Sequence, residues 1–184
     1  MRAARRLVLL GRSVLVAVSL LGFVGCNAVY STKPVGEKVV SISAEDWDGT
    51  WIDSELSTPV TIEVMDAQKG LLKAAWIEKM ALESCEVQLL ESGEWMFGNL
   101  KDKDRPNLFV WGRIKKDHSQ IILWFPEVSK IRELVEAGKL PGSVDKEGDV
   151  TLGDLTAEHL ARITSKDSPL FEWDEPVILV RLSH

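Results

Sequence analysis

Cysteine, histidine and tyrosine are all scarce in this 184-residue chain, at 2, 3 and 1 residues. Two cysteines cannot build the disulfide framework of a small secreted scaffold. The histidines, His118, His159 and His184, show no metal-ligand spacing. The sequence has no phosphate-binding glycine loop, no Ser-His-Asp signature and no internal repeat. Basic residues are outnumbered as well, 22 Lys and Arg against 28 Asp and Glu, for a formal charge of −6. The first 25 residues hold four arginines and no acid. Without them the remainder carries a charge of about −10, too acidic for broad binding to a phosphate backbone. What is present is ordinary globular material: 45% hydrophobic and 27% charged residues, with 13 Gly and 7 Pro. That composition excludes a disordered polymer and a collagen-like repeat. It leaves enough chain for one domain with a proper core.

The N-terminus reads as an address. Arg2, Arg5, Arg6 and Arg12 make Met1 to Arg12 basic, and Ser13 to Val24 is apolar apart from small Ser and Gly. The apolar run is shorter than the roughly 20 residues a membrane-spanning helix needs, and fits a secretory signal peptide over residues 1–25. It ends in Phe23-Val24-Gly25-Cys26, which resembles the lipobox of bacterial lipoproteins. The resemblance implies cleavage before Cys26, acyl chains on that cysteine and firm attachment to a membrane surface. Each buried CH₂ would add about 0.8 kcal/mol. Asn27 follows, where aspartate would resemble the inner-membrane retention signal of enteric bacteria. The expected location is the outer membrane, facing the periplasm. Cys85 is then left without a disulfide partner. It shares a strand face with Val87 and Leu89 and has Glu83 and Glu86 as neighbours, so it reads as a core cysteine and not as a reactive thiol.

Residues 26–45 carry Pro34, Gly36 and several Ser, Thr and Lys with little periodicity, and read as a lipidated tether. A single β-rich domain is expected over 46–184. From Gly49 to Phe125 the pattern is β almost throughout: Val60, Ile62 and Val64 alternate with polar residues, as do Leu72, Ala74 and Trp76. Seven short strands with short turns predict a curled antiparallel sheet or barrel. The last two strands are apolar on both faces and need cover. Glu127 to Ala137 supplies it as a helix with Val128, Ile131, Leu134 and Val135 on one stripe. A hairpin over 143–153, a second helix N-capped by Thr156, and a closing strand from Val177 to Leu182 complete the chain.

Gly49-Thr50-Trp51 resembles the G-x-W motif that opens the lipocalin-type barrel. The resemblance implies that Arg181, on the last strand, packs across Trp51 at the closed end of the barrel. The chain has 7 Trp, and Trp51, Trp76, Trp95, Trp111 and Trp124 on predicted strands are expected to fill the barrel interior. Asp145, Glu147, Asp149 and Asp154 lack the order of an EF-hand loop and read as a solvated turn. No acid, base or nucleophile stands in an activating context, so no enzyme activity, metal or cofactor is expected. Two function classes stay open. One is a carrier or sensor of a small apolar or amphipathic envelope molecule. The other is an accessory lipoprotein docking on an envelope protein through its helices and Phe171-Glu172-Trp173. An open apolar cavity would favour the first, and a filled barrel with an exposed aromatic patch the second.

Overall fold

The computed structural model describes residues 27–55, 57–165 and 169–182. Two short strands, β1 (Val29–Ser31) and β2 (Lys38–Val39), precede a one-turn helix, α1 (Ala44–Trp47). The alternating stretch that follows forms seven strands: β3 (Gly49–Asp53), β4 (Pro59–Asp66), β5 (Leu71–Glu78), β6 (Ala81–Ser92), β7 (Trp95–Lys101), β8 (Phe109–Lys116) and β9 (Gln120–Trp124). Then come α2 (Val128–Glu136), the hairpin β10 (Gly142–Val144) and β11 (Val150–Leu152), α3 (Ala157–Ile163) and β12 (Val177–Arg181).

From β3 to β9 each strand pairs antiparallel with the next, and β12 pairs antiparallel with both β9 and β3. The result is a closed eight-stranded antiparallel barrel with no free edge. The strand β12 inserts between the first and last strands of the meander, setting Arg181 opposite Trp51. Beside the barrel, β1 lies antiparallel to the start of β8 and parallel to β11, while β2 adds to the far end of β6.

The segment expected to be a tether is part of the domain from Asn27 onward. Ala28, Val29, Tyr30, Val35 and Ile42 are buried. The Ala28 N–H donates to Asp149 Oδ1 at 2.8 Å, and the Val35 N–H to Asn99 Oδ1 at 2.6 Å. Its apolar residues show no period because they are buried against several different elements. Cys26, the signal-peptide residues and His184 lie outside the described residues.

Strand alternation divides the apolar side chains between two cores. Inside the barrel are Trp51, Val60, Ile62, Leu72, Trp76, Leu89, Ile114, Ile121 and Leu179. Outside it, Trp95, Phe97 and Trp111 project from β7 and β8 into a second core with Ile131 of α2, Leu160 and Ile163 of α3, and Phe171. Trp124 packs against this second core as well. Of the five strand tryptophans expected in the interior, three therefore face out. The helices cover the outer wall, as the two-sided apolar pattern of β8 and β9 requires.

Candidate binding cavity

With three indoles directed outward, the barrel interior is not filled. Small residues stand at inward positions midway along the wall: Ala74 on β5, Cys85 on β6, Gly98 on β7 and Gly112 on β8. Gly98 and Gly112 are directly opposed in register. A Cβ on Gly98 would come within 2.5 Å of Ile114 Cδ1, so the strand packs tightly only without a side chain there. Around these residues lies a cavity of about 380 Å³, walled by Ile62, Leu72, Trp76, Val87, Leu123 and Leu179 among others. Eight strands is the size at which a barrel either fills itself or holds one small ligand.

One end of the barrel is plugged. Trp51 is fully buried, and its Nε1–H donates to the Trp47 carbonyl at 3.1 Å. Gly49 has φ +143, a conformation that favours glycine. Arg181 Nη2 donates to the carbonyls of Asp48 at 2.6 Å and Glu45 at 3.0 Å, with the guanidinium 5.5 Å from the Trp51 ring centre. The Lys116 ammonium lies 5.3 Å from the Trp47 ring centre, and burial pulls its pKa below the ordinary lysine value. The helix α1, N-capped by Ser43, holds this plug across the barrel end.

The opposite end is the mouth. It is bordered by the β7–β8 loop, from Lys101 to Arg105, and by Tyr30 of β1. Arg105 stacks over Tyr30 at 4.6 Å and pairs with Asp149 at 2.8 Å, while Lys103 pairs with Glu83. Burial, first among several influences, raises the Tyr30 pKa. The Cys85 thiol sits in the wall, and burial pushes its pKa up to about 11. The surface offered to a ligand is thus apolar within and polar only at the rim.

Other candidate residues are dispersed. His118 lies in the β8–β9 turn. His159 belongs to the capping box of α3, its Nδ1 accepting the Thr156 N–H at 3.1 Å. Among the described residues no group of three or more His, Cys, Asp or Glu could hold a metal ion. Asp149, expected in a solvated turn, is buried and holds both Ala28 and Arg105. Phe171 and Trp173, expected on a docking surface, pack instead into the second core beside Trp95. There the Arg113 guanidinium stands 3.9 Å from the Trp95 ring centre, 5.0 Å from that of Trp173 and 5.3 Å from that of Trp124.

The sequence leaves an open and a filled barrel both possible, because no single strand announces the cavity. The available signal was the set of small residues at inward positions on four neighbouring strands. Comparison of the chain with protein-family models, curated proteins and solved structures finds no match.

Proposed function

We propose that this chain is a lipid-anchored envelope protein that binds a small apolar or amphipathic molecule inside a lipocalin-like barrel, without catalysis. The observation that carries this reading is the 380 Å³ apolar cavity, plugged at the Trp51 end and opening beside Arg105. Its volume falls within the range of about 300–1,000 Å³ typical of small-molecule sites. The lipobox-like Val24-Gly25-Cys26 supports a location on the outer membrane facing the periplasm, where apolar molecules are at hand. The G-x-W resemblance gains support from the meeting of Gly49, Trp51 and Arg181 at the plug. The docking alternative loses one side chain of the surface suggested for it, since Phe171 is buried, while the helices and the half-buried Glu172 and Trp173 stay on that surface.

Native mass spectrometry of the protein from its own host tests the reading. It should reveal a co-purified small molecule that is absent from an Ala74→Trp variant, whose indole occupies the cavity. Titration with a fluorescent fatty acid should show the same variant weakened by about tenfold or more. Wild-type protein that carries no ligand and ignores the probe would remove the cavity from consideration.

A further inference from the structure

Among the described residues, the most exposed large apolar side chains stand together on the β5–β6 hairpin. Met80 is 99% exposed, Leu82 77% and Ile77 66%. Ile77 and Leu82 are paired across the hairpin on its outward face, and Met80 is in the turn. Lys79 and Met80 both have positive φ, 48° and 67°. Tight hairpins of this kind normally use Asn-Gly, which adopts that geometry readily. Here a strained turn is kept with a lysine and a methionine, so a large apolar group projects from the tip.

The hairpin stands at the mouth end of the barrel, since Trp76 on β5 and Cys85 on β6 lead from it into the cavity. The start of the described chain adjoins the same mouth. The Ala28 N–H is bonded to Asp149, and Asp149 to Arg105 of the mouth loop. Position 26 is two residues from Ala28, a reach of at most about 7 Å. A lipid on Cys26 would therefore hold the mouth, and with it the hairpin tip, toward the membrane. Around the mouth Lys79 pairs with Glu78, Lys103 with Glu83 and Arg105 with Asp149, and Lys101, Asp102 and Asp104 together add a net charge of only about −1. Such a rim suits an uncharged lipid surface and gives an anionic one no special advantage.

We propose that the tip of the β5–β6 hairpin inserts into a lipid bilayer and seats the barrel mouth against it. The orientation rests on the lipid attachment proposed above; the insertion does not require the cavity to bind anything.

The test is site-specific. A benzophenone-bearing amino acid is introduced at position 80 of the full chain, or at position 118 at the plugged end as a control. Each protein is irradiated with phosphatidylcholine vesicles, and its adducts are identified by mass. Lipid adducts should form at position 80 and not at 118, with equal yield from about 50 to about 500 mM salt. Ile77→Asp combined with Leu82→Asp should lower the yield at 80 about tenfold or more. Equal yields at 80 and 118, or adducts at 80 only to a second copy of the chain, would overturn the inference. Binding of a fluorescent fatty acid without vesicles separates the two readings, because Ile77 and Leu82 face away from the cavity. Probe binding without lipid adducts at 80 removes the insertion alone, and adducts without probe binding remove the cavity reading alone.

Discussion

Asn99 is 2% exposed on the outward face of β7, where its carboxamide accepts the Val35 N–H at 2.6 Å and donates to the Val35 carbonyl at 3.0 Å. One side chain thus satisfies both backbone groups of a buried residue 64 positions earlier. Asn99→Ala should cost about 2–4 kcal/mol in chemical denaturation and release protected amides around Val35 in hydrogen exchange. Nothing in Gly98-Asn99-Leu100 distinguishes it from an ordinary strand residue, because its partner is chosen by the fold. Cys85 was legible at this scale, since acidic neighbours and an apolar alternation described a wall residue. With its pKa near 11, only about one thiol in a thousand is ionised at pH 8. Alkylation with iodoacetamide at that pH should be far slower than for an unfolded control, and slower again when a ligand occupies the cavity. Glu172 is the opposite case, a carboxylate whose sequence gives no warning. Burial first, then the charges of Glu127 and Glu175, raise its pKa. A carboxyl raised on folding contributes stability below its unfolded pKa and loses it as pH climbs through the folded value. Glu172→Gln should therefore raise the melting temperature at pH 7, and the gain should vanish in acid below the ordinary glutamate range.

Among the elements, the seven strands from β3 to β9 and the helix α2 could be read from periodicity and turns, and α3 from its Thr156 cap. The reason is local: a half-buried strand and an amphipathic helix each write their environment into spacing. The same logic failed for residues 27–45. That segment has strands of three and two residues, too short for alternation to register, and its apolar groups serve different partners. It also could not say which face of β7 and β8 looks inward, since Trp95, Phe97 and Trp111 would suit either core. The helix α2 settles that choice by offering Ile131, fully buried, to the outer wall. Ile131→Ala should cost about 2–5 kcal/mol, with the larger value if α2 cannot settle into the space. Tryptophan fluorescence should redden as water reaches Trp95, while fatty-acid binding in the barrel is retained.

For the molecule as a whole, the plugged end was legible and the open volume was not. Three residues, Gly49, Trp51 and Arg181, sufficed for the first, whereas the second depends on how eight strands share their small residues. Closure itself follows from β12, which must reach both β3 and β9. The register Trp51 to Arg181 joins positions 130 apart, and β1 likewise waits for β11. Contacts so distant in sequence make folding slow, because a long loop must be ordered before any of them forms. A chain synthesised N-terminus first has nothing to close upon until β12 is made. Until then its sheet stays unsealed. A chain stopped before Val177 would keep two bare strand edges, which invite aggregation or proteolysis.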